Sequence, residues 1–203
     1  METKKISKRK LQSAQTREKL LHAGQETFIE YGFQKTTISQ IIKKAKTGYG
    51  TAYVYFKNKD DLLIELLEDV MARFYEIANM TYKPTSKKEA YDLIEQQSIL
   101  FLDMANKEKL MMQVIEEAIR LSDNVRKKWT EIREQFIKRI SEDIAYAQKN
   151  ELARIDVDCS IVARAWFHAN EMYLWEIVKD VKTPPIKEIV HNIASIYTGG
   201  LYK

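Results

Sequence analysis

Apolar residues recur at helical spacing along almost the whole chain, and the breaks between the runs divide it into about nine helices. From about Thr16, the residues Leu20, Gly24, Thr27, Phe28 and Tyr31 fall at i, i+4, i+7, i+8 and i+11 on one face, and Gly32 is placed to end that helix. Thr37-Ile38-Ser39-Gln40 has the T-x-x-Q form of a capping box. It predicts a short second helix that runs to about Ala45 and buries Ile38, Ile41, Ile42 and Ala45. Lys46-Thr47-Gly48 breaks the pattern, and a further short helix, Tyr49–Tyr55, fits before the fresh start signal at Asn58-Lys59-Asp60-Asp61.

A longer helix is predicted from Asn58 to about Met80, through Leu62, Leu63, Leu66, Leu67, Val70, Phe74 and Ile77, until Lys83-Pro84-Thr85 interrupts it. Ser86-Lys87-Lys88-Glu89 is a second capping box, opening a helix through Leu93, Ile94, Gln97, Leu100, Phe101 and Met104. The next carries Met111, Val114, Ile115, Ala118 and Ile119 to a break at Ser122-Asp123. A long one then passes through Trp129, Ile132, Phe136, Ile140, Ile144 and Ala147 and ends near Asn150. Asp156 or Asp158 caps a helix lasting to about Val181, Thr183-Pro184-Pro185 stops it, and a last helix spans about Ile186 to Thr198 before Gly199-Gly200 terminates the fold. No strand-like alternation of useful length interrupts this series, so the expected fold class is all-α.

Composition agrees. Six Gly and three Pro among 203 residues disfavour a loop-rich β architecture. The single Cys159 has no partner for an internal disulfide, and no thiolate cluster is available for zinc. The N-terminus is charged at Lys4, Lys5, Lys8, Arg9 and Lys10, and no apolar run approaches the ~20 residues that span a bilayer. The expectation is a cytoplasmic protein without a membrane partner, with residues 1–13 as a flexible basic arm. Charge distribution changes the picture more: residues 1–59 hold 13 Lys/Arg against 4 Asp/Glu, whereas the rest is net acidic. Such a local excess releases counterions on contact with polyphosphate and favours nucleic acid, although a charge run is also the mark of an ordinary solvated face.

Two short helices joined by a tight turn, in this most basic stretch, form a helix-turn-helix candidate. Its second helix, Tyr49–Tyr55, would enter a major groove about 12 Å wide. If Ala52 and Phe56 face inward, Tyr49 and Thr51 face outward toward base edges, and Gly50 permits close backbone approach. In register with these elements stand Arg17, Ala23, Phe28, Tyr31-Gly32-Phe33, Thr36-Thr37-Ile38, Ile41, Ala45 and the run Gly50 to Leu63. This sequence resembles the signature of the TetR family of bacterial transcriptional regulators over about 47 residues.

The resemblance implies an N-terminal three-helix helix-turn-helix DNA-binding domain at 1–60, followed by a helical ligand-binding and dimerisation domain at 61–203. It implies that Thr37 is a phosphate ligand as well as a helix cap, that Ser39, Thr47 and Gly48 lie along the DNA backbone, and that Tyr53 and Tyr55 touch phosphates. A tyrosine is as often a packing residue with a satisfied hydroxyl. Lys59 matches the family lysine that grips the backbone. Three positions depart from the pattern: Lys46 stands where Gly is usual in the turn, Gly48 where a capping Ser is favoured, and Ile42 where Ala is common.

Beyond residue 63 the resemblance is one of architecture. An aromatic and sulfur-rich set that includes Phe74, Phe101, Met104, Met111, Trp129, Phe136, Trp166 and Tyr173, with Ile115 beside it, fits either a plain core or a loosely specific apolar pocket. These nine are the ligand-binding candidates. On the eighth helix Ile161, Ala165, Ala169 and Met172 make a second apolar stripe, and with Ile189, Ile193 and Ile196 of the last helix they predict a homodimer. Enzyme signatures are absent, and the histidines His22, His168 and His191 have no metal spacing, so neither catalysis nor a cofactor is expected. The function expected is a transcriptional repressor, not an enzyme, that binds a pseudo-palindromic double-stranded operator and is released by a small lipophilic inducer. The alternative is a ligand-independent helical DNA-binding protein of chromosome organisation.

Overall fold

The structure is a computed structural model and describes residues 8–202, with side chains from Lys10 onward. These residues form nine helices: α1 (Lys8–Lys35), α2 (Ile38–Lys44), α3 (Tyr49–Tyr55), α4 (Lys59–Ala78), α5 (Lys87–Lys107), α6 (Lys109–Leu121), α7 (Asp123–Lys149), α8 (Cys159–Val178) and α9 (Ile186–Leu201). The chain divides into two compact units. One runs up to Asp69 and takes in Val114–Lys128; the other holds Val70–Gln113 and the chain from Trp129 onward. Where a boundary after residue 60 was expected, the first unit thus reaches further along α4 and also includes the end of α6 and the start of α7. The expected basic arm at 1–13 is corrected in part: α1 begins at Lys8, while residues 1–7, with Lys4 and Lys5, lie outside the described residues.

In the first unit α1, α2 and α3 pack on one another around Leu20, Phe28, Phe33, Ile41, Ile42 and Ala52, with Leu62 and Leu63 of α4. Tyr31 lies off the buried face, 46% exposed. A Cβ on Gly24 would overlap the buried Leu62, so α1 reaches α4 only because position 24 has no side chain. Gly32, at φ +76°, is the break inside α1. Just past it, Glu117 of α6 accepts from Phe33 N at 2.8 Å and Gln34 N at 3.2 Å, satisfying two amides that the break leaves without a helical partner.

In the second unit α8 and α9 pack on α5. Phe74, Phe101, Phe136 and Phe167 form a connected aromatic series with ring centroids 5.2, 6.1 and 5.9 Å apart. Trp129 Nε1 donates to the buried Glu171 at 3.2 Å, and Arg133 and His168 hold the other carboxylate oxygen of Glu171. Two local predictions need correction. Ser86 accepts from Glu89 N as a cap should, but the Glu89 carboxylate reaches back to Thr85 N instead of Ser86 N. Gly199 and Gly200 do not end the fold; α9 continues through them to Leu201, and Tyr202 then bridges to Ala153. Asp158, not Asp156, caps α8.

Candidate nucleic-acid interface

The turn between α2 and α3 is built by both flanking caps. Thr37 Oγ1 accepts from Gln40 N, and Gln40 Oε1 accepts from both Thr37 N and Thr37 Oγ1, at 2.7 and 3.0 Å, so the capping box is closed in both directions. At the other end Lys46 adopts φ +52°, the left-handed conformation that a glycine would take without a Cβ penalty, and directs the chain into Thr47-Gly48. α3 then anchors through Ala52 and Phe56, which are 1% and 3% exposed. Its other positions face solvent: Tyr49 is 55% exposed, Tyr53 45% and Val54 79%, with Gly50 and Thr51 exposed beside them. A Cβ on Gly50 would meet nothing within 4 Å, so the glycine leaves room over that turn.

This exposed face holds predicted residues Tyr49, Gly50, Thr51 and Tyr53, together with Val54, which the sequence reading did not single out. Period alone assigns Val54 to neither face in a helix of two turns, and its methyl groups are suited to the 5-methyl of thymine. Around it the ammonium groups of Lys43, Lys46 and Lys57 are exposed, whereas Lys44 is engaged with Glu26 and Glu30 at 3.4 and 3.3 Å. Ser39 and Gly48 are exposed as well.

Four predicted backbone ligands are placed differently. Lys59 donates to the carbonyls of Phe33 at 2.6 Å, Thr36 at 2.9 Å and Gln34 at 3.3 Å, and lies over the Phe33 ring at 4.3 Å. All three of its protons are therefore committed to closing the α1–α2 junction. Burial pulls its pKa down, while the negative charges of Asp60 and Glu117 oppose that shift. Tyr55 is half-buried, and its hydroxyl meets Ser13 Oγ at 2.8 Å, which ties α3 to α1. Thr47 Oγ1 is buried inside the turn, and the Thr37 hydroxyl proton is already given to Gln40. In this geometry the polar groups of Lys59 and Tyr55 and the Thr37 hydroxyl proton are engaged within the chain, and Thr47 Oγ1 is buried.

The second unit contains a cavity of about 90 Å³ between α4, α5, α7, α8 and α9. Of the ligand-binding candidates, Phe101, Phe136 and Trp166 line it. The other ligand-binding candidates do not: Phe74, Met111 and Trp129 are buried in packing contacts, Met104 and Tyr173 lie elsewhere, and Ile115 belongs to the core of the first unit. Missed residues include Asn170, Arg139 and Asp143, whose polar character gives no place in an apolar stripe. Burial raises the Asp143 carboxyl to about 6, against the pull of its ion-pair partner Arg139. Of the predicted dimer residues, Ile161 is 70%, Met172 50% and Ile196 77% exposed, with Ala165 exposed and Ala169 and Ile193 half-buried. Ile189 is buried within its own chain and is corrected to a core residue.

Comparisons with known proteins place this geometry. Residues 20–66 match the family model described as bacterial regulatory proteins, tetR family. The fatty acid metabolism regulator protein of Bacillus subtilis is 40% identical over 57 residues, which cover 28% of this chain and 29% of that protein. The chain's match thus spans about a third of the length of such curated relatives. Among solved structures, GusR of Salmonella enterica has a TM-score of 0.73 at 19% identity, over 96% of this chain and 97% of its own. The complex of SmeT, the Stenotrophomonas maltophilia repressor, with triclosan has 0.72 at 18%, over 93% and 92%. At such identities these likenesses concern the fold, nine helices with a helix-turn-helix at the start. With the sequence match over that helix-turn-helix and the shared fold along the rest, the chain carries a TetR-type helix-turn-helix at residues 20–66 on a fold shared with TetR-family regulators.

Proposed function

We propose that the protein is a dimeric, ligand-responsive repressor that reads a two-fold symmetric operator. The observation that carries this reading is the exposed face of α3: Tyr49, Thr51, Tyr53 and Val54 stand clear of a helix anchored by Ala52 and Phe56, flanked by exposed Lys43, Lys46 and Lys57. α3 supplies base contacts, and the lysines supply charge to the phosphates. The apolar stripe of Ile161, Ala165 and Met172 on α8, with Ile196 on α9, is the face on which a second copy docks, so that two reading helices address two half-sites. The residues from 61 onward form the regulatory domain, and the cavity is its ligand site.

α4 links the two activities along the chain. Lys59 at its first turn closes the junction that sets up the helix-turn-helix, and Ile77, 18 residues later in the chain, lines the cavity. A ligand that prefers the DNA-incompetent state by ~1–3 kcal/mol weakens operator binding 5–150-fold, and operator weakens ligand by the same factor. Genome-wide mapping of bound DNA tests the reading against the alternative, a ligand-independent organiser of the chromosome. One or a few pseudo-palindromic sites support the repressor; dense occupancy without a shared motif rejects it.

A further inference from the structure

Asn170 gives the cavity a chemical preference. It lies on α8, lines the cavity and is 6% exposed. Its amide nitrogen donates to the carbonyl of Trp166, one turn earlier, at 3.0 Å, which fixes the orientation of the amide. Oδ1 is then left as a buried acceptor with no partner among the described residues. The charged groups nearby are in a different condition: Arg139 and Asp143 are paired with each other, so neither offers an unmatched charge to an occupant. The walls are aromatic, with Phe101, Phe136, Trp166 and Phe167 around them. An ionised ligand would lose its hydration there without a free counter-charge, whereas a ligand with no donor would seal off the Asn170 oxygen unsatisfied.

We infer that the cavity selects an uncharged, mainly apolar molecule carrying one hydrogen-bond donor, a hydroxyl or amide N–H, which it presents to Asn170 Oδ1. This rests on the reading of the cavity as the ligand site. The aromatic walls are indifferent to the difference between a hydroxyl and a methyl of the same size, and the other polar groups that border the cavity, Gln97 and Ser98 among them, are unchanged when Asn170 alone is replaced.

The test is a double-mutant cycle on the full chain with two isosteric small probes, p-cresol and p-xylene, titrated by calorimetry into the unmodified protein and into Asn170→Leu. The ratio of the two affinities is the readout, because it cancels general effects on cavity shape. Loss of one buried donor–acceptor pair predicts that the preference for p-cresol over p-xylene falls ~5–150-fold in the Leu variant, mostly through tighter xylene binding. Asn170→Ala, which keeps more of the local shape of α8 free to adjust, should show a fall in the same direction if the Leu side chain disturbs folding. An unchanged ratio in both variants, with both probes still bound, overturns the donor requirement and leaves the ligand site standing. Binding of neither probe to the unmodified protein overturns the ligand-site reading and the inference together.

Discussion

The two units of the molecule carry information at different range. In the first, the features that shape the interface are contained in short stretches: a capping box closes between Thr37 and Gln40, a left-handed residue sits at Lys46, and two anchors, Ala52 and Phe56, fix which side of α3 faces out. In the second, the cavity is formed by side chains from five helices, and Asn170, which lines it, has no local signature at all. The comparison teaches that a reading surface on one short helix is a local property, while a pocket is what remains after distant segments have packed.

The largest effect expected from breaking this contrast is at the α8–α9 face. If that face carries the proposed dimer, charge placed there, as Ile161→Glu with Ile196→Glu, should leave the chain monomeric at micromolar concentration in sedimentation, where the unmodified chain is dimeric, and reduce operator affinity by about two orders of magnitude, with helicity unchanged. A dimer that survives both charges would remove that face from the interface.

A smaller effect separates the lysines of the first unit. Lys57→Ala removes an exposed charge and should lower the slope of log affinity against log salt by about 0.9 for one lost phosphate contact. Lys59→Met removes three hydrogen bonds to the α1–α2 junction, so the expected result is about 1–3 kcal/mol less stability in urea, with the salt slope kept. If Lys59→Met lowered the slope and left the stability unchanged, Lys59 would be a phosphate ligand after all.

That distinction marks how far the sequence could be read. The charge of Lys59 and its place at the start of a helix are visible in the chain, but its acceptors lie 23 to 26 residues earlier and become neighbours only when α1 and α4 pack. Tyr55 likewise reads as an exposed aromatic until Ser13 is found across from it. The boundaries of α2 and α3 were legible because their caps and breakers lie within a few residues of the ends. The end of α9 was not: Gly199-Gly200 is a local stop signal overridden because Leu201 and Tyr202 are buried and paired with the segment around Ala153 and Arg154. Periodicity marked Phe101, Phe136 and Trp166 as inward-facing with Phe74 and Trp129, but which of these border a gap is decided by packing between helices.

A pH measurement sharpens the second unit. The Asp143 carboxyl is raised to about 6 by burial, so the native state holds its proton more tightly than the unfolded chain does. Ionisation therefore disfavours the native state increasingly as pH rises from about 4 through 6, and the cost is fully present at 7. Asp143→Asn should raise the melting temperature relative to the parent at pH 7, by an amount that narrows as pH falls to 4. An increment that stays constant over this range would contradict the raised carboxyl.

The smallest effect concerns the turn. Lys46→Gly relieves a side chain at φ +52° and should stabilise the first unit by about 1 kcal/mol in urea unfolding, while removing one exposed charge near α3. Destabilisation would mean that the lysine makes a contact that outweighs its backbone strain.

The central claim is that α3 reads sequence within a two-fold symmetric complex. It is tested most directly by hydroxyl-radical footprinting of the full chain on its highest-affinity genomic fragment, alongside Tyr49→Ala. The expected result is two protected half-sites related by two-fold symmetry, with centres about 34–36 Å apart or further, and a Tyr49→Ala variant that protects the same backbone but discriminates less between that fragment and its scrambled sequence. A single continuous protection without symmetry, unaffected in its sequence preference by Tyr49→Ala, would contradict it.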